Sequence, residues 1–291
     1  MSADDERKPL ATATMHGATH GDALTIATWN INSVRLRQQQ VAAFLDGWRP
    51  DVLCLQEIRC ATDAFPARAF RRLGYEHMAV WGRKGHAGVA ILSRLPLCNV
   101  QRHCFCGLED ARHIMAEVAG VEVHSLYVPA GGDVPDAGRN PKFAHKLAFL
   151  DELRTWLARQ VQQAASGGRE VILTGDLNVA PLPDDVWDHR RLLRVITHTP
   201  METERLETLR AEAGMVDVVR VRLPVPEKVF TWWSYRAGDA WEQHDRGRRL
   251  DHVWSTPELA ARLEDVAIAR ETRSWPRPSD HVPVLARFRR R

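Results

Sequence analysis

An α/β fold, with sheets flanked by helices, is the class this sequence predicts, and three observations carry it. Apolar runs of strand length recur through the 291 residues, two longer stretches have helical spacing, and the two kinds mix without the alternation of a βαβ barrel. At roughly 150 residues per domain, length alone suggests two domains. No tract of Gly, Pro or Ser separates two folding units, so residues 23–291 are expected to form one large domain. No apolar run approaches the ~20 residues of a membrane span, so a membrane partner is not expected.

The elements follow in order. Residues 1–22 carry Asp4-Asp5-Glu6 and no apolar h-region, so they read as a disordered arm rather than a targeting peptide, and a cytoplasmic protein is expected (nucleoid-associated in a bacterium). Leu24–Trp29 alternates and is rich in β-formers. Val34–Trp48 places Val41, Phe44, Leu45 and Trp48 at helical spacing and is closed by Pro50. Val52–Leu55, Val89–Leu92, Ile114–Val118 and Val121–Val128 read as strands. Phe143, Leu147, Leu150, Leu157 and Val161 mark one face of a long helix ended by Ser166-Gly167-Gly168. Val171–Leu173 is a near-continuous apolar strand, as expected where both faces of a sheet are covered. A polar helix over Met201–Ala213 and strands near Phe230, Leu250–Trp254, Val266–Ala269 and Val284–Phe288 complete the series.

The composition has two imbalances: 35 arginines against five lysines, and 10 tryptophans against three tyrosines. Arginine holds phosphates bidentately and tryptophan offers a stacking face, but a codon preference for arginine accounts for the first equally well. A formal charge of +3 does not by itself argue for a polyanionic partner. The five cysteines include His103-Cys104-Phe105-Cys106, which invites a zinc reading. No second Cys/His pair stands at finger or ribbon spacing, so free thiols are expected.

Chemistry gathers at the strand ends. Thr28-Trp29-Asn30-Ile31-Asn32 and Thr174-Gly175-Asp176-Leu177-Asn178 are each a strand running into two polar residues spaced by one apolar residue. Residues i and i+2 of a strand share a side. Either motif alone reads equally well as a turn, since Asn and Asp favour turns. Leu55-Gln56-Glu57, Arg249-Leu250-Asp251 and Ser279-Asp280-His281 raise the number to five, too many for independent accidents. Oxygen donors without thiolates suit Mg²⁺ or Mn²⁺ rather than zinc. Asp beside Asn can orient water, and His held by Asp can carry a proton or charge beside phosphorus, which together indicate metal-assisted hydrolysis of a phosphate ester.

In that order, and over about Leu24–Phe288, these motifs resemble the signature of the exonuclease III family of abasic-site endonucleases, within the endonuclease/exonuclease/phosphatase superfamily. The resemblance implies a four-layer α/β sandwich with two central mixed sheets between outer helices. It implies Glu57 as principal metal ligand with Asn30 and Asp280 nearby, Asp176 to orient or deprotonate water, and Asn178 to help hold the phosphate. His281, held by Asp251, is implied to contact or protonate the phosphate, and Tyr127, in Leu126-Tyr127-Val128-Pro129, to reach it with its hydroxyl.

The superfamily core fixes only phosphoester hydrolysis. The run Phe230-Thr231-Trp232-Trp233-Ser234-Tyr235 favours the abasic-site branch, with Trp232 and Leu250 as walls of a pocket for an extruded base-less sugar. Asn32, Arg35 and Arg139, the last in the loop Gly131–Pro141, are candidate substrate contacts. Arg248, where relatives carry glycine or tryptophan, would fill the pocket mouth or enter the duplex. Arg59 stands where a lysine usually follows the Leu-Gln-Glu motif, and Asn32 where some members have an acid. The expectation is a monomeric, Mg²⁺-dependent endonuclease cutting double-stranded DNA 5′ to abasic sites, with 3′→5′ exonuclease or 3′-phosphatase activity on blocked 3′ ends. The alternatives are a phosphoesterase of the same fold acting on RNA or a small phosphate ester, and a non-catalytic DNA-binding module.

Overall fold

The computed structural model describes residues 22–85 and 87–291; the arm expected over residues 1–22 lies, apart from Asp22, outside them. Among the described residues, twelve strands follow in chain order: β1 (Ala23–Asn30), β2 (Val52–Gln56), β3 (His77–Trp81), β4 (Val89–Ser93), β5 (Cys98–Arg102), β6 (His113–Val118), β7 (Val121–Tyr127), β8 (Glu170–Asp176), β9 (Val216–Asp217), β10 (Asp251–Ser255), β11 (Leu263–Ile268) and β12 (Val284–Arg289). The helices are α1 (Gln38–Trp48), α2 (Ala67–Arg71), α3 (Pro141–Ser166), α4 (His189–Leu192), α5 (Pro200–Glu212), α6 (Val218–Arg222), α7 (Trp241–His244) and α8 (Pro257–Ala260).

The strands form two mixed six-stranded sheets, ordered β11-β12-β1-β2-β4-β3 and β5-β6-β7-β8-β10-β9. In the first, β1 is parallel to β2 and antiparallel to β12; in the second, β8 is parallel to β7 and antiparallel to β10. Because the central strands are covered on both sides, their residues divide between two cores by alternation. Leu24, Ile26, Val52, Cys54, Val121, Val123 and Ile172 fill the space between the sheets. Ala27, Trp29, Leu53 and Leu55 point outward, the first layer meeting Val41, Phe44 and Leu45 of α1 and Phe70 of α2. Leu126, Val171 and Leu173 meet Phe149, Leu150, Leu153 and Leu157 of α3 and Leu206 and Leu209 of α5 on the other outer face. Each fully buried aliphatic side chain of this kind contributes roughly 1.5–3 kcal/mol. The four-layer sandwich is thus present.

Several boundaries differ from expectation. The first helix begins at Gln38 rather than Val34, because Asn32 and Ser33 take left-handed backbone (φ 46° and 86°) and the guanidinium of Arg37 ties down the carbonyls of Ile31 and Asn32. The segment near Phe230 is no regular strand. Trp232 makes only isolated bridges to Arg248 and His281, so the chain there is a connector across the end of the sandwich. Strands β3, β5 and β9 were not anticipated; β5 is exposed throughout and lacks the apolar run that marks the others.

The consequence for position is simple. β1 and β2 run parallel, as do β7 and β8, so the ends of all four strands reach one pole, while β10 and β12 begin there.

Candidate active site at the strand ends

Asn30 and Glu57 come from the first sheet, Tyr127 and Asp176 from the second, and the gap between sheets brings them within hydrogen-bond reach. Asn30 Nδ2 donates to Asp176 Oδ2 at 2.8 Å and to Glu57 Oε1 at 3.0 Å. The Tyr127 hydroxyl donates to the same Glu57 oxygen at 2.8 Å. One step deeper, Gln56 Nε2 donates to Ser125 Oγ at 3.0 Å, a second polar tie between the sheets.

The backbone is shaped for this. Gly175 has φ 143°, and a Cβ there would lie 1.9 Å from the Leu126 carbonyl oxygen, so only glycine lets β8 lie this close to β7 just before Asp176. Glu57 (φ 49°), Arg59 (φ 48°) and Asn178 (φ 52°) all take left-handed backbone immediately beyond strand ends. Non-glycine residues adopt that region rarely and at a cost, and clusters of them mark functional sites.

Asp176 is nearly fully buried. Its Oδ1 accepts from the Asn178 backbone N–H at 2.9 Å, and its Oδ2 from Asn178 Nδ2 at 3.2 Å as well as from Asn30. Burial pushes its pKa up, the nearby His281 opposes this, and Asp251 and Glu57 add to it. Opposite lies His281, whose Nδ1 is 2.8 Å from Asp251 Oδ2 and whose Nε2 is 3.6 Å from Asp176 Oδ2. Burial pulls the imidazole down, but Asp251, Asp176 and Asp280 together push it well above its ordinary value. It is therefore an imidazolium at neutral pH. Burial, reinforced by Glu57 and Asp176, raises Tyr127 so that its hydroxyl keeps its proton. Among the described residues, Asp176, Asp251 and His281 form the group of three acidic or imidazole side chains whose ligand atoms lie within 4.8 Å of one another.

The remaining expected residues occupy defined places. Asp280 accepts from Asn32 Nδ2 at 3.0 Å and from Trp232 Nε1 at 3.0 Å, and is held below its ordinary range by His281, Asn32 and Trp232 in spite of burial. Asn32 also donates to the Tyr235 hydroxyl at 3.2 Å. Asn178 Nδ2 is occupied by Asp176 and by the Val128 carbonyl at 2.9 Å. Trp232 and Leu250 meet in one small apolar cluster with Ala180, Val186 and Leu192, with Leu250 only 3% exposed beneath the half-buried Trp232. Arg248 turns inward. Its Nη1 donates to Thr197 Oγ1 at 2.8 Å and to the Ile196 carbonyl at 3.1 Å, and its guanidinium lies 5.2 Å from the Trp232 ring centroid. Arg35 and Arg139 are exposed on the turns that follow Asn32 and Gly132.

Other participants make contacts that the sequence does not reveal. Thr231 Oγ1 donates to Asp251 Oδ2 at 2.6 Å and accepts from the backbone of Leu250 and Asp251; a lone threonine beside a tryptophan pair gives no hint of this. Ser279 Oγ donates to the Asn30 carbonyl at 2.7 Å, joining two motifs that sequence could only place side by side. Arg59 clasps Glu57 with Nε (2.7 Å) and Nη2. The stretch from His103 to Cys106 holds no such cluster: all five cysteines are free, and His103 stacks on Trp156 with ring centroids 4.9 Å apart.

With this geometry in view, comparison with known proteins is direct. Residues 27–281 match the endonuclease/exonuclease/phosphatase family. The chain is 32% identical over 273 residues to exodeoxyribonuclease III of Haemophilus influenzae, covering 90% of this chain and 98% of that protein. Among solved structures, an AP endonuclease from Archaeoglobus fulgidus superposes with a TM-score of 0.83 at 33% identity, covering 91% of this chain and 99% of the other. The 3′ phosphatase NExo from Neisseria, bound to a product DNA hairpin, gives a TM-score of 0.82 at 33% identity with the same coverage.

Proposed function

This chain belongs to the endonuclease/exonuclease/phosphatase family, and from that premise we propose that it is a metal-dependent DNA repair nuclease. Its reaction is hydrolysis of the phosphodiester 5′ to an abasic site in duplex DNA, accompanied by removal of 3′-blocking groups. The observation that carries this reading is the convergence of Asn30, Glu57, Tyr127, Asp176, Asp251 and His281 on one strand-end pole, with carboxylate, amide, phenol and imidazolium within hydrogen-bond reach. A non-catalytic module would have no use for so many buried polar groups, each of which costs free energy unless it is partnered.

The donor set fits a hard divalent cation. Glu57, Asn30 and Asp176 offer oxygen and amide groups without a thiolate, and Asp251 Oδ1 is buried without a hydrogen-bond partner. Glu57 and the adjoining Asn30, joined by Asp280 as the family resemblance implies, would hold Mg²⁺ or Mn²⁺. The ion, when bound, supplies charge neutralisation at the phosphoryl oxygens.

The side chains divide the remaining work. Asp176, fixed through both oxygens, presents its carboxylate to the attacking water and accepts the proton. His281, kept protonated by Asp251, offers Nε2–H to a phosphoryl oxygen. Tyr127, with its proton retained, donates a hydrogen bond at the same pole. Arg35 and Arg139 supply sequence-independent phosphate contacts on the flanking duplex.

One observation favours weight on the 3′-end reactions: Arg248 lies over Trp232, beside the packed apolar cluster that a flipped sugar would have to open. A side-by-side assay on abasic, intact and 3′-phosphate duplexes tests the whole reading. Magnesium-dependent turnover of the abasic and 3′-phosphate substrates is expected, with loss on adding EDTA or in Asp176→Asn. Undiminished cutting in EDTA, or activity confined to RNA or small phosphate esters, overturns it.

A further inference from the structure

Behind the catalytic strand end lies a buried charge pair that none of these roles uses. Lys146 of α3 and Glu202 of α5 are both fully buried and bond to each other. Lys146 Nζ also donates to the carbonyl of Asn178 at 2.7 Å and reaches that of Ala130 at 3.5 Å. Glu202 is as fully engaged. It accepts from the Thr197 N–H at 3.0 Å, from the Thr199 N–H at 3.2 Å and from Thr199 Oγ1 at 2.6 Å.

These bonds have a common direction. Thr197 is a β-branched residue at φ 88°, a conformation that persists only where its surroundings impose it. The Glu202 carboxylate on its N–H, and the Ala180 N–H at 2.7 Å on its carbonyl, do so here. The Thr197 hydroxyl and the Ile196 carbonyl then receive Arg248, which lies over Trp232. A continuous run of hydrogen bonds therefore joins Asn178, at the candidate catalytic strand end, to Arg248, which lies against the Trp232 ring. Stability is a weak reason for such a pair, since an apolar pair of similar volume is often as stable or more so.

We propose that Lys146 and Glu202 are positioning residues: the pair fixes the Thr197 turn against Asn178 and so latches Arg248 over Trp232, biasing the site against an internal extruded sugar and toward 3′ ends. This rests on the reading of Trp232 and Arg248 given above. Releasing the latch raises the ratio of abasic incision to 3′-phosphate removal.

The test uses the full chain in three variants. Thr197→Val deletes only the hydroxyl that receives Arg248. Lys146→Met with Glu202→Gln removes both charges without stranding one. Arg248→Ala provides the unlatched reference. The Trp232 indole N–H resonance, assigned by its loss in Trp232→Phe, reports the latch independently of catalysis. The expected result is that this resonance moves in the first two variants toward its position in Arg248→Ala. The activity ratio rises about fivefold, the worth of one hydrogen bond. If the resonance stays in place, or if both activities fall in parallel with Tm at an unchanged ratio, the positioning role is overturned. If the resonance moves as expected while the wild-type protein cuts neither substrate, the latch stands and the nuclease reading fails.

Discussion

Asp251 acts through a neighbour. It accepts from Thr231 Oγ1 and His281 Nδ1, and its negative charge, with that of Asp176, keeps the imidazole protonated at neutral pH. Replacing it by Asn removes the charge while keeping the shape. In Asp251→Asn, kcat on the proposed substrate is expected to fall by about 10²–10⁴-fold, the usual worth of a positioned acid or base, with KM little changed. Steady-state kinetics on an abasic duplex check this. At this scale the sequence is most informative where a local pattern repeats: Asn30-Ile31-Asn32 and Asp176-Leu177-Asn178 announce themselves by spacing. Thr231 and Lys146 are as closely engaged but leave no such mark, because their partners lie on elements remote in the chain.

Among the elements, the start of α3 does two tasks. Asn140 caps the helix by accepting from the Lys142 N–H at 3.1 Å, and its Nδ2 donates to the carbonyls of Gly131 and Val134 at 2.9 and 2.7 Å. The cap therefore also pins the turn that carries Arg139. Asn140→Ala should cost about 0.5–2 kcal/mol, readable by urea unfolding. It should also raise KM for duplex DNA more than it lowers kcat, because the pinned loop is freed while the strand-end cluster is untouched. Element prediction from the sequence worked where the hydrophobic period was long and unbroken, as in α3. It failed at β5, which is exposed on every residue, and near Phe230, where β-rich residues serve a connector held by isolated bridges.

Across the whole molecule, burial of neutral imidazoles works against stability in acid. Burial lowers His252 from 6.5 to about 4, and it lowers His113 well below its ordinary value. The unfolded chain takes up these protons near pH 6.5 while the folded chain refuses them. Stability is therefore full above that pH and is lost as the pH falls from about 6.5 toward 4, by up to about 3 kcal/mol for His252 alone. Thermal unfolding followed from pH 7 to pH 4.5 should show this decline, and His252→Gln should flatten it. Such buried polar groups, like the assignment of each strand to one of two sheets, follow from long-range topology that the linear pattern did not contain. The pairing of β1 with β12 has a further consequence, in time rather than in energy. The neighbour that completes β1, β12, is made long after it, since Thr28 pairs with Val284, and Trp29 donates its indole N–H to the His281 carbonyl. With about 5–20 residues added per second, the first strand waits on the order of ten to fifty seconds on the ribosome for its partner. During synthesis the nascent chain thus carries most of the candidate site in an unassembled form, and the strand-end cluster closes only after β12 has been made.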